Sequence, residues 1–118
     1  MTHNRKKVII VEGLTDKLQI QKVLADDDVE IICTHGTLGV EKMDELLDKH
    51  DLDNRDVYIL VDEDDSGSKI RRQLISECPH ARNIHVDNDY REVAATPVQM
   101  LAMALAGVEI AVDPTFLA

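Results

Sequence analysis

Val57-Tyr58-Ile59-Leu60-Val61-Asp62-Glu63-Asp64-Asp65-Ser66-Gly67 is an apolar run that turns abruptly acidic. Val57 to Val61 carries no polar alternation, which marks a strand buried on both faces. Val8-Ile9-Ile10-Val11 repeats the pattern near the start of the chain and again ends on an acid, Glu12, followed by Gly13. Strands of this kind need a helical layer on each side, and the rest of the sequence supplies it. Leu14 to Leu24 places apolar residues at Leu14, Leu18, Ile20, Val23 and Leu24, close to a helical stripe. Val40 to His50 does so through Val40, Met43, Leu46 and Leu47, and Gly67 to Cys78 through Ile70, Leu74 and Ile75 before Pro79 stops it. Val29 to Thr34 and Asn83 to Val86 read as further strands. Pro97 to Ala106 reads as a last helix with Pro in its first turn, ended by Gly107. Val108 to Val112 adds a short strand or an extended tail. The alternation and short connections predict an α/β, Rossmann-like fold with about four strands in a mainly parallel sheet and helices on both faces. One domain is expected over 1–118, with its core at about 7–106 and a tail at 107–118.

Ligands of such sheets bind beyond the carboxyl ends of the strands. Those ends are Glu12-Gly13, Thr34-His35-Gly36-Thr37, Asp62-Glu63-Asp64 and Asp87-Asn88-Asp89. Asp62 and Asp64 are two apart on an extended segment, so both carboxylates can leave the same face, roughly 6–7 Å apart. Two carboxylates about 4 Å apart repel by about 4 kcal/mol at an effective dielectric near 20. A third from Glu12 sharpens the conflict, and a hard cation resolves it. Magnesium takes oxygen ligands, keeps several waters and is typically held by one or two carboxylates plus a phosphate. Manganese is the expected substitute. Glu12, with a proton affinity raised by its neighbours, suits a general acid or base. Two blander readings account for part of the pattern. Asp65 or Ser66 can cap a helix beginning near Gly67, which explains one or two acids. A calcium loop would need a bidentate Glu where Gln73 stands, and a helix rather than a strand before it.

Composition sets the remaining bounds. The 118 residues are 44% hydrophobic and 31% charged, a globular balance, with a formal net charge of −10. Phosphate affinity comes from Lys and Arg, so a chain this acidic should not hold nucleic acid by charge alone. The cations to hand are Arg5, Lys6 and Lys7, then Lys69, Arg71 and Arg72, with Arg82 and Arg91. Lys69, Arg71 and Arg72 fall in the first turns after the acidic run and are candidates for phosphate contact, as is His35 in its turn. Tyr90 lies in a polar loop, where surface packing is its ordinary use. No apolar run approaches the roughly 20 residues of a membrane helix, and the basic start is too short for a signal peptide. Cys33 and Cys78 lack CxxC spacing and read as free thiols of a cytoplasmic protein. A phosphoacceptor receiver would need a late Lys, and none follows Lys69.

Val-Ile-Ile-Val-Glu12-Gly13-x-x-Asp16, followed further on by Tyr-Ile-Leu-Val-Asp62-x-Asp64-x-x-Gly67, resembles the Toprim domain. That domain is shared by topoisomerases, bacterial primases, nucleases, recombination mediators and a ribosomal-RNA maturation ribonuclease. The stretch from Asp62 to Arg72, with Thr34-His35-Gly36-Thr37, is most similar to the maturation ribonuclease. The resemblance implies Glu12 as general acid or base and Asp62 and Asp64 as magnesium ligands beside Glu12. It gives supporting positions to Gly13 and Gly67, as turn residues, and to Asp16. It further implies phosphodiester cleavage or nucleotidyl transfer on RNA or DNA, with a partner, protein or second copy, supplying grip. A non-catalytic Toprim binding module in a nucleic-acid-processing complex is the other reading. Scarce basic residues favour it, and the intact acidic triad opposes it. Exposed residues among Met100, Leu101, Met103 and Leu105 offer a dimer surface, although covering the sheet is their simpler use.

Overall fold

The computed structural model describes residues 6–87 and 89–117; Arg5 and Asn88 lie outside the described residues. The element order is β1 (Lys7–Val11), α1 (Leu14–Gln21), β2 (Val29–Cys33), α2 (Val40–Lys49), β3 (Asp56–Ile59), α3 (Asp65–Glu77), β4 (Arg82–Asn83) and α4 (Val98–Ala106). All four strands are parallel, in the order β2-β1-β3-β4. Val8 and Ile10 face one side of the sheet, together with Val57, Ile59 and Val61, and pack on Met43 of α2 and Ile70 and Leu74 of α3. Ile9 and Val11, with Tyr58 and Leu60, face the other side, against Ile20 of α1 and Leu101 and Leu105 of α4. Strands β1 and β3 are therefore apolar throughout because each face has its own helical layer. Fully burying each Ile or Leu contributes about 1.5–3 kcal/mol.

The strand order reverses between β1 and β3. From β1 the chain crosses to β2 on one side, and β3 and β4 then build on the other. Crossovers that diverge in this way leave a crevice at the carboxyl ends of the two central strands. Glu12 follows β1 and Asp62 to Asp64 follow β3, so both acidic segments open into that crevice.

Two expectations are corrected. Strand β4 pairs only through Arg82 and Asn83, not Asn83 to Val86. Past the Ile84 N–H to Ile59 carbonyl bond, the Arg71 guanidinium sits between the strands and donates to the Val61 and Ile84 carbonyls. Helix α1 ends at Gln21, and Leu14 and Leu18 are 59% and 51% exposed rather than inward. Residues 23–25 instead pair antiparallel with the C-terminal segment, where the Ala25 N–H meets the Ala111 carbonyl at 3.0 Å. Of the two alternatives for Val108 to Val112, the structure has the extended tail: the segment pairs with the residues that follow α1 and adds nothing to the sheet. Leu101 and Leu105 cover the sheet as the simpler reading has it, and Met103 stays exposed. Among the described residues no helix is long and apolar enough to cross a membrane.

Candidate active site

Glu12 leaves the sheet where β1 ends, and its neighbours fix its backbone. The His35 N–H donates to the Glu12 carbonyl at 2.6 Å, just after the Thr34 N–H meets the Val11 carbonyl. His35 achieves this with a left-handed backbone, φ 57°. Asp16, buried one turn into α1, accepts the Gly13 N–H at 3.0 Å and so fixes the chain on the other side of Glu12. The Glu12 side chain is half-buried. One oxygen, Oε2, faces the Ser66 hydroxyl at 3.4 Å, and the other, Oε1, is buried with no hydrogen-bond partner. The Thr34 hydroxyl oxygen is likewise buried and unpartnered. It lies one register step beyond the Val11–Cys33 pair, opposite Glu12.

Each aspartate is anchored through one oxygen. Asp62 Oδ1 accepts the Val93 N–H at 2.8 Å, which ties the crevice to the segment before α4. Asp64 Oδ1 accepts the Gly67 N–H at 2.7 Å and is the cap of α3, a role the sequence assigns to Asp65 or Ser66. The second oxygen of each aspartate has no protein partner among the described residues. Glu63, between them, turns away to Arg71 at 2.8 Å and His85 at 3.0 Å. Burial, and then the charges of Asp62 and Asp64, push the Glu12 carboxyl above the usual glutamate range, with the Ser66 hydroxyl opposing. Asp16 is also raised, first by burial and then by Asp62 and Glu92, against the Gly13 amide.

Gly67 is required by space rather than by conformation. A Cβ there would stand 1.9 Å from the Asp62 carbonyl oxygen. Gly13 has an extended backbone, φ −139°, that any residue adopts, and room for a side chain, so the turn function expected of it is not needed. Arg71 is buried and so does not serve as a phosphate contact. Its guanidinium donates to the Ile59, Val61 and Ile84 carbonyls, Asn83 Oδ1 and Glu63. Burial draws down its proton affinity and Glu63 opposes that. Lys69 and Arg72 are exposed, the latter lining a hollow with Leu38, Val40 and Met43 of about 300 Å³. His35 is exposed beside Glu12. Both cysteines are free.

A family model described as the Toprim domain matches residues 7–91, spanning both acidic segments. The chain belongs to the Toprim family. It is 46% identical over 112 residues to the Bacillus subtilis strain 168 protein YusF, covering 95% of this chain and 75% of that one. It is 32% identical over 84 residues to ribonuclease M5 of Mycoplasma genitalium, covering 71% of this chain and 45% of the ribonuclease. The structure of a small TOPRIM domain protein from Bacillus stearothermophilus superposes with a TM-score of 0.89 at 40% identity, covering 98% of this chain and 96% of that one. The Toprim fold with its four-stranded parallel sheet is thereby shown, as is the relation to ribonuclease M5.

Toprim domains generally bind magnesium. Among the described residues no three His, Cys, Asp or Glu side chains close into a ready-made metal cage. The donor set fits magnesium all the same, because that ion takes few protein ligands and fills the rest of its shell with water and phosphate. The unpartnered buried oxygen of Glu12 and the second oxygens of Asp62 and Asp64 are hard donors of the right kind. An orphaned buried carboxylate oxygen costs about 1–3 kcal/mol or more unless something binds it. The segment 89–93, which holds Asp62 through Val93, is the part of this site that the sequence reading missed. A polar loop with no motif gives no sign that its amide will be needed.

Proposed function

We propose that this Toprim domain processes phosphodiester bonds of RNA or DNA with magnesium, by cleavage or nucleotidyl transfer, together with a partner that supplies grip. The observation that carries the reading is Glu12: a half-buried carboxyl with one orphaned oxygen and raised proton affinity, facing two anchored aspartates. Asp62, Asp64 and Glu12 would hold the metal. When bound, it would neutralise the acidic edge toward phosphate and stabilise charge on the leaving oxygen. Glu12 is suited to take or give the proton, because its raised value lies closer to neutrality than an ordinary glutamate. Asp16 and the His35 amide hold the Glu12 backbone in place, and Ser66 orients its carboxylate. The relation to ribonuclease M5 supports RNA as the first substrate to try.

Calorimetry with magnesium, on wild type and on Asp62→Asn/Asp64→Asn, with a short RNA and a short DNA in turn, tests the reading. Metal binding that requires both aspartates and tightens with one nucleic acid is expected. Unchanged magnesium binding in the double variant would overturn the site. Loss of all binding in wild type would favour the non-catalytic module, which the net charge of −10 already permits.

A further inference from the structure

An acidic edge that receives a phosphodiester needs a cation in its wall as well as a metal, and Arg91 is placed to be that cation. Its backbone carbonyl accepts the Glu63 N–H at 2.6 Å, and its side-chain Nε donates to the Glu63 carbonyl at 3.3 Å. Both ends of Arg91 are thus clipped to the one residue between Asp62 and Asp64. Arg91 has a left-handed backbone, φ 60°, which costs a non-glycine residue roughly 1–2 kcal/mol. Arg71, by contrast, is buried among backbone carbonyls, and Arg82 lies over the Tyr58 ring at 5.7 Å. The terminal nitrogens of Arg91 have no acceptor among the described residues, and the side chain is exposed. A guanidinium held by Nε with its other nitrogens open presents a fork to phosphate.

Its neighbour supplies a second, separate indication. The sequence has only three aromatic residues. Tyr58 is buried, Phe116 is half-buried, and Tyr90 is 39% exposed next to Arg91. The Tyr90 N–H bonds the Asp87 carbonyl at 3.0 Å and its carbonyl accepts the Glu92 N–H, so the backbone under the ring is fixed. An exposed aromatic residue followed directly by an arginine with an open guanidinium is a pairing that can hold single strands, with a base against the ring and a phosphate on the cation. A duplex covers the base faces, so an unpaired strand is the better fit.

We propose that Tyr90 and Arg91 form a nucleotide seat on this edge, taking one phosphate and the adjacent base of a single-stranded nucleic acid next to the two aspartates. The seat rests on the phosphodiester reading above.

Fluorescence anisotropy with labelled single strands of about ten nucleotides, RNA and DNA in turn, over a magnesium-containing salt series tests it. The variants are Arg91→Ala, Arg91→Lys, Tyr90→Ala and Tyr90→Phe, each also titrated with magnesium alone. Arg91→Ala should weaken binding about tenfold and flatten the logarithmic salt slope by about 0.7, the value of one single-strand phosphate contact. Arg91→Lys should keep the slope but lose part of the affinity. Tyr90→Ala should weaken binding about tenfold at unchanged slope, and Tyr90→Phe should bind as wild type. Magnesium affinity should stay constant throughout. If wild type binds a strand and the alanine variants bind it equally well, the seat is wrong and the metal site stands. If Arg91→Ala lowers magnesium affinity without altering the slope, Arg91 merely braces the loop, which also overturns the seat. Wild type that binds magnesium through Asp62 and Asp64 but no strand overturns the seat alone. Wild type that binds neither overturns both readings.

Discussion

Asp64 holds the first turn of α3 by accepting the Gly67 amide at 2.7 Å, so a proposed metal ligand is also a helix cap. The two duties separate by substitution. Asn caps a helix as well as Asp does, whereas Ala does not. Asp64→Asn should stay within about 0.5 kcal/mol of wild type in urea unfolding, and Asp64→Ala should lose about 1 kcal/mol. Both should lose magnesium affinity in calorimetry. An Asn variant that kept full affinity would remove Asp64 from the metal site.

Gly67→Ala places a methyl group 1.9 Å from the Asp62 carbonyl oxygen. Neither the helix backbone nor the strand end can yield without moving Asp62. A loss of about 3 kcal/mol is expected from the urea midpoint, at the upper end for overpacking. Gly13→Ala, where space is open, should cost far less.

Arg71→Met takes a shared donor away from the Ile59, Val61 and Ile84 carbonyls and the Glu63 carboxylate. Removing one partner of a buried pair costs about 3–5 kcal/mol, and the lower figure fits here because His85 remains on Glu63. The double variant with Glu63→Gln should recover part of that loss. A double-mutant cycle measures it, and simple additivity would show that the pair is not coupled.

Glu12 gives a pH signature. Burial, with Asp62 and Asp64, raises its proton affinity in the folded chain above that in the unfolded chain. The protonated form therefore favours folding. That contribution is complete below the ordinary glutamate range and is lost as pH rises through the raised folded value. Glu12→Gln, in the absence of metal, should match wild type in acid and become the more stable protein toward neutral pH. Thermal melts across a pH series check this, and a gap that stayed flat with pH would exclude a raised proton affinity at Glu12.

The fold was legible because Val8 to Val11 and Val57 to Val61 are apolar without alternation, which forces two helical layers. Glu12, Asp62 and Asp64 were legible because each follows such a strand. The inward stripe assigned to α1 was not, since Leu14 and Leu18 match a helical period whether a helix layer covers them or not. Arg71 reads as a surface cation in any window of sequence. Its burial depends on carbonyls from β3 and on Ile84, and no local pattern encodes a donor for them. The clip between Arg91 and Glu63 is hidden for the same reason, being made between residues far apart in the chain.

The bonds from Arg71 to Ile59, Val61 and Ile84 also imply an order of assembly. A guanidinium sheds its water favourably only when all its acceptors are in place, so α3 can form early while β3 and Ile84 wait to be drawn together around it. The acidic edge should then be the last region to close during folding. It should also be the first to open in the native state, as a cooperative unit separate from the β1 core. Hydrogen exchange would show this as an early-exchanging Val93 amide, whose acceptor is Asp62, over a slowly exchanging Leu60 amide bonded to Ile10.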